Sequence, residues 1–73
     1  MPHTVAIKGS FIELYKLLKR ENIASSGGEA KYLISEGLVE VNGKVELRKR
    51  YKTRPGDRVS FQDWSVTVIQ GPL

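Results

Sequence analysis

Seven basic side chains fall within fifteen residues, Lys44, Arg48, Lys49, Arg50, Lys52, Arg54 and Arg58, opposed only by Glu46 and Asp57. That stretch carries a net charge of +5. The rest of the chain sets five basic residues against six acidic ones, so the whole formal excess of +4 is concentrated here. Such a run neutralises phosphates, and its partner chemistry is a polyanion; the plain alternative is a solvated basic loop. Tyr51 stands inside the run, where a base could stack on it or where it could be a half-buried tyrosine packed on the core.

Other chemistries find little support. The single histidine, His3, lies near the terminus, and there is no cysteine, which removes thiolate metal sites, disulfides and most general-base catalysis. Glu13, Glu29, Glu36 and Asp57 occupy capping, helix-end or turn positions with no histidine nearby to complete an acid/base pair. Gly27-Gly28 is not a nucleotide-binding phosphate loop, because the following Lys-Ser pair and the parent strand are missing. No enzyme and no cofactor are expected.

The elements that must position the basic run can be read along the chain. Thr4-Val5-Ala6-Ile7-Lys8 reads as a weak first strand. Ser10-Phe11-Ile12-Glu13 has capping-box spacing and predicts a helix starting there, with Phe11, Ile12, Leu14, Tyr15, Leu17 and Leu18 on a wide apolar arc. Glu13, Lys16 and Arg20 share its opposite side, and Lys19 lays its stem along the core in the last turn. A second capping box, Ser26-Gly27-Gly28-Glu29, opens a helix to about Glu36 that buries Ala30, Leu33 and Ile34. Gly37 closes it in the left-handed conformation, with Leu38 touching Leu33. The helices thus form a compact helix-turn-helix-like pair.

Val39-Glu40-Val41 then meets Asn42-Gly43, a hairpin signal. A bulge at Gly43 would set Val39 beside Val45 on one face, so a bulged hairpin is expected. After the basic run come a turn at Pro55-Gly56-Asp57, a strand Arg58 to Phe61 and a last strand Trp64 to Ile69; Trp64 is expected in the core. The prediction is an α+β domain, a two-helix unit packed on one side of a small antiparallel sheet of four to five strands.

Seventy-three residues suffice for one domain, 1–73, and 40% hydrophobic with 27% charged residues is a globular balance. The longest uninterrupted apolar run is Val5-Ala6-Ile7, so neither a membrane span nor a signal-peptide core is present in the sequence and a cytoplasmic location is expected. A monomer is expected, since no large apolar patch stands out.

From Phe11 to Phe61 the sequence resembles the S4-type RNA-binding domain, first recognised in ribosomal protein S4. The motifs that carry the resemblance are Leu14-Tyr15-Lys16-Leu17-Leu18-Lys19, Ser25-Ser26-Gly27-Gly28-Glu29-Ala30-Lys31, and Ile34-Ser35-Glu36-Gly37-Leu38-Val39-Glu40-Val41-Asn42-Gly43. Glu46-Leu47-Arg48-Lys49-Arg50 and Gly56-Asp57-Arg58-Val59 complete them. With no other domain beside it, the chain is most similar to the short stand-alone bacterial members, regarded as ribosome-associated RNA binders.

The resemblance implies a functional surface on the two helices and the following hairpin. It draws in Lys16, Lys19 and Arg20 from the first helix, Ser26, Gly27 and Lys31 from the second, and Lys44 at the hairpin, extended by Arg48, Lys49, Arg50, Lys52 and Arg54. Many members carry an arginine where this chain has Gly27, so the contacts of that arginine do not transfer. The bare amides of Gly27-Gly28 could instead seat a phosphate, or the glycines could simply allow close packing. Tyr32, on the polar side of its helix, is open to stacking or packing.

The implied function is non-catalytic binding of structured RNA, ribosomal RNA or a ribosomal subunit in particular. Two other classes compete: a protein-interaction adaptor whose basic face meets an acidic partner, and major-groove DNA reading. The last is disfavoured because the second helix exposes Lys31, Tyr32 and Ser35 but no arginine or glutamine.

Overall fold

The computed structural model describes residues 3–71. Seven strands and two helices follow in the order β1 (His3–Ile7), β2 (Ile12–Glu13), α1 (Leu14–Arg20), α2 (Gly27–Ser35), β3 (Glu40–Val41), β4 (Lys44–Val45), β5 (Lys52–Thr53), β6 (Arg58–Phe61) and β7 (Trp64–Gln70). Five strands form one sheet in the order β1-β7-β6-β3-β4, and β2 pairs with β5 in a separate two-stranded ribbon.

The sheet is mixed rather than wholly antiparallel. β1 lies parallel to β7, with Val5 opposite Val68, whereas β3–β4, β3–β6 and β6–β7 are antiparallel. Hairpins dictate antiparallel neighbours, but β1 is separated from its partner by both helices, and no turn fixes its direction. Its end is fastened by the Gly71 amide, which donates to the Ile7 carbonyl at 2.7 Å, and by Gln70 Nε2, which donates to the carbonyls of Ile7 and Lys8.

Period-two alternation supplies one buried face: Val5 and Ile7, Val39 and Val41, Val66 and Val68, with Val59 between them. Leu14, Leu17, Leu18, Ala30 and Ile34 of the helices complete the core, and Trp64, Tyr51 and Tyr15 pack half-buried at its margin. Trp64 stands directly opposite Phe61 across the hairpin that joins β6 to β7.

The first helix does not begin at the Ser10 capping box. Ile12 and Glu13 are extended and pair with Thr53 and Lys52, and Glu13, at the cap position, makes no side-chain capping bond. The basic run takes over the capping: the Leu14 amide donates to the Tyr51 carbonyl at 2.9 Å and the Tyr15 amide to the Lys49 carbonyl at 3.1 Å. Free helix amides need acceptors, and a neighbouring carbonyl serves as well as a serine hydroxyl. Phe11 and Ile12 therefore leave the helical arc, and Phe11 becomes solvent-exposed. At the other end Asn22, with φ 61°, adopts the left-handed conformation, and the Ile23 amide reaches back to the Leu18 carbonyl.

The second helix follows its sequence signals closely. Ser26 Oγ accepts from the Glu29 amide at 3.1 Å, while Glu29 Oε1 accepts from the Ser25 amide at 2.9 Å, one residue earlier than a strict capping box. Gly37 has φ 75° and the Leu38 amide donates to the Leu33 carbonyl, closing the helix as expected.

The hairpin carries no bulge. Asn42 (φ 54°) and Gly43 (φ 84°) form a two-residue turn that sets Val41 opposite Lys44 and Glu40 opposite Val45. The supposed need for Val45 to join Val39 in the core is absent: Val39 is fully buried, whereas Val45 is 54% exposed and lies over Gly37. A turn with both central residues left-handed matches the strand twist without an inserted residue.

Candidate nucleic-acid interface

The basic run is a compact corner rather than an extended strand. The Tyr51 amide donates to the Arg48 carbonyl at 3.1 Å, closing a tight turn with Lys49 and Arg50 at its tip, and Lys52–Thr53 then pair with β2. The same corner thus both caps α1 and places the cations.

Asp57 anchors the far side. Its carboxylate accepts from the Arg54 amide at 2.9 Å, from Asn42 Nδ2 at 3.0 Å and, more weakly, from the Tyr51 hydroxyl at 3.4 Å. Asn42 Oδ1 in turn accepts from the Arg58 amide at 2.9 Å. One acidic side chain thus ties the hairpin turn, the Pro55-Gly56 turn and the Tyr51 ring together. Burial, with the nearby Asp57 charge, pushes the Tyr51 hydroxyl above its ordinary pKa and keeps it protonated.

Each aromatic ring on this face carries cations. Lys31 Nζ lies 4.8 Å from the Tyr15 ring centroid, and Lys16 Nζ and Arg50 Cζ each lie 5.9 Å from it. Arg48 Cζ is 5.0 Å from the Tyr51 centroid and Lys52 Nζ is 5.2 Å from that of Phe11. All lie within the range in which a ring quadrupole attracts a cation. Two shallow depressions adjoin: one of about 370 Å³ lined by Arg48, Arg50, Tyr51, Lys52 and Arg54, and one of about 500 Å³ lined by Phe11, Ile12, Glu13, Lys16 and Lys52. Lys52 is the wall they share.

Two carboxylates enter this surface. Glu13 pairs with Lys16 at 3.0 Å and more loosely with Arg50 at 3.9 Å, and the Lys16 ammonium is held above its usual pKa by the hydrogen bond it donates to this carboxylate. Glu46 accepts from Arg48 Nε at 2.9 Å, Arg48 Nη2 at 3.1 Å and the Arg48 amide at 3.0 Å, which lowers the Glu46 pKa and raises that of Arg48. Among the described residues Lys31, Lys52 and Arg54 enter no ion pair.

The sequence-predicted residues therefore divide. Lys16, Lys31, Arg50, Lys52 and Arg54 surround the two depressions and the Tyr15 ring, with Arg48 beside them. Gly27 faces Tyr15, where an added Cβ would sit 3.8 Å from the ring, an ordinary van der Waals distance, so packing at this point does not require a glycine. Ser26 is committed to its capping bond. Lys49 projects from the turn tip and is exposed, and its carbonyl serves α1. Arg20 is diverted: its guanidinium donates to the Ala6 carbonyl at 3.1 Å and fastens α1 to β1. Lys19 and Lys44 are exposed but neither lines a depression nor approaches a ring.

Sequence reasoning missed Tyr15, Phe11 and Glu13 as members of this surface. Helical periodicity assigned the two rings to the core arc, and only the tertiary capping of α1 turns Phe11 outward. A usable signal was the alternation of aromatic and basic residues at 15–16 and 50–52.

Two helices on a mixed five-stranded sheet, with an aromatic-studded basic corner beside them, define a class of small α+β domain. The family model described as the S4 domain matches residues 5–69, and the chain belongs to that family. It is 48% identical over 62 residues to "Putative RNA-binding protein YbcJ" of Escherichia coli (strain K12), a match that covers 85% of this chain and 89% of that one. It is 34% identical over 62 residues to "Probable ribosome maturation protein RlbA" of Bacillus subtilis (strain 168), covering 85% and 87%. The solution structure of YbcJ from E. coli, described as revealing an ALFAL motif involved in RNA-binding, superposes with a TM-score of 0.67 at 44% identity, covering 93% of this chain and 85% of that one. Among the described residues no helix is long and apolar enough to cross a membrane.

Proposed function

We propose that this chain is a non-catalytic RNA-binding protein that acts in the cytoplasm as a monomer and docks on structured RNA, specifically ribosomal RNA of a subunit or its precursor. The observation that carries this reading is the convergence of Lys16, Lys31, Arg50 and Lys52 on aromatic rings, with Arg54 lining the adjoining depression and Glu13 the only carboxylate paired to any of them among the described residues. Cations neutralise phosphates and supply affinity, while flat rings and groove shape supply discrimination. The names of the relatives, one for RNA binding and one for ribosome maturation, support the same direction.

The test is sedimentation of tagged protein through a sucrose gradient of its own cell lysate, across a salt series and after RNase. Co-migration with a subunit or precursor that weakens steeply with salt is expected, because phosphate neutralisation releases counterions. Protein that stays at the top of the gradient under all conditions overturns the ribosomal reading. Partners retained after RNase would replace RNA with an acidic protein.

A further inference from the structure

Arg48 differs from every other cation on this surface. Its Nε and Nη2 edge is occupied by both oxygens of Glu46, at 2.9 and 3.1 Å, and the same carboxylate also holds its backbone amide. That edge is not free to chelate a phosphate, which leaves the Nη1 side. The guanidinium faces remain. Arg48 lies over the Tyr51 ring, with Cζ 5.0 Å from the centroid, and 74% of its side chain is open to solvent.

The ring beneath is itself fixed, by burial at the core margin and by the bond from its hydroxyl to Asp57. Arg48 and Tyr51 are thus a pre-ordered pair, held from two directions by Glu46 and Asp57. Beside it, in the same depression of about 370 Å³, Arg50, Lys52 and Arg54 are the cations with unsaturated donors. That volume falls within the range of small-ligand clefts, about 300–1,000 Å³. A guanidinium plane and an aromatic ring are the surfaces on which unpaired bases stack, and neighbouring cations hold the flanking phosphates.

Resting on the RNA reading above, we propose that this depression takes one unpaired nucleotide of the bound RNA, its base stacked on the Arg48–Tyr51 platform and its phosphates held by Arg50, Lys52 and Arg54. Arg48 accordingly acts here through its plane, with its chelating Nε–Nη2 edge already held by Glu46. The protein would favour RNA with a bulged or looped-out nucleotide over a fully paired helix. A base paired inside an A-form helix offers no free face to the platform.

Three probes test this: an RNA hairpin with one bulged adenosine, the same hairpin with an abasic ribose at the bulge, and the fully paired parent. Wild-type protein is expected to bind the bulged adenosine about tenfold or more tightly than the abasic or paired probe, the order expected for stacking of one base. Arg48→Lys keeps the charge but loses the plane and the paired edge. It should bind all three probes alike, with the wild-type salt slope. Tyr51→Leu, checked for an unchanged fold by circular dichroism, should behave the same way.

Equal wild-type binding to adenosine and abasic probes overturns the proposal while leaving RNA binding intact, as does full discrimination by Arg48→Lys. Absence of salt-sensitive binding to any probe would instead strike the underlying RNA reading.

Discussion

Replacing Arg50, Lys52 and Arg54 together with glutamine is the perturbation that most directly measures what the basic corner does. All three are exposed and line one depression, and the only ion pair any of them makes among the described residues is the loose 3.9 Å contact of Arg50 with Glu13. The backbone bonds that position the corner, from Leu14, Tyr15 and Asp57, use main-chain atoms or other side chains and survive the change. The fold should therefore persist, with an unchanged thermal midpoint.

Each lost phosphate contact lowers the slope of log affinity against log salt by about 0.7–0.9, so three should lower it by about 2 to 3. Between about 50 and 200 mM salt the wild-type protein would then lose roughly 20- to 40-fold more affinity than the variant. Fluorescence anisotropy with a labelled RNA hairpin at several salt concentrations reads both quantities. A folded variant whose slope falls by less than about one would refute the claim that these side chains meet phosphates.

Two further predictions follow from the geometry around the corner. The Thr53 hydroxyl is fully buried with no hydrogen-bond partner among the described residues, so Thr53→Val, which keeps the shape and removes the orphan, should stabilise the protein by about 1 kcal/mol. For a domain of this size that is a rise of about 4–8 °C in the thermal midpoint, and a fall would show that the hydroxyl is satisfied in solution. The Glu46 pKa is lowered by its bonds to Arg48, so its contribution to stability is complete above the ordinary glutamate value near 4.3 and is lost as pH falls through the depressed folded value. Denaturant titrations across this acid range should show that loss in the wild-type protein and not in Glu46→Gln, whose stability would lack this dependence.

The match between sequence and structure is best where the determinants are local. Ser26, Glu29 and Gly37 lie within a few bonds of the amides and carbonyls that they satisfy, and α2 runs almost as their spacing requires. Asn42-Gly43 likewise set a turn by their own dihedral freedom, and the expected bulge failed because it came from an assumption about Val45, a residue the fold leaves exposed. The start of α1 was misread for the opposite reason. Its acceptors, the carbonyls of Lys49 and Tyr51, come from more than thirty residues further along the chain, and no local motif records them.

Charge content, the second helix with its caps and the concentration of cations between Lys44 and Arg58 were determined by the sequence itself, because they depend on composition and on contacts within a few residues of backbone. Only the tertiary structure decided which cations share a surface. It sent Arg20 to the Ala6 carbonyl, paired one edge of Arg48 with Glu46 and brought Lys31 and Arg50 to the same tyrosine ring. It also decided that β1 joins β7 in parallel, a pairing across some sixty residues. The physical reason is the same in each case: an unsatisfied donor, charge or strand edge takes the partner that folding places beside it, and sequence distance does not enter.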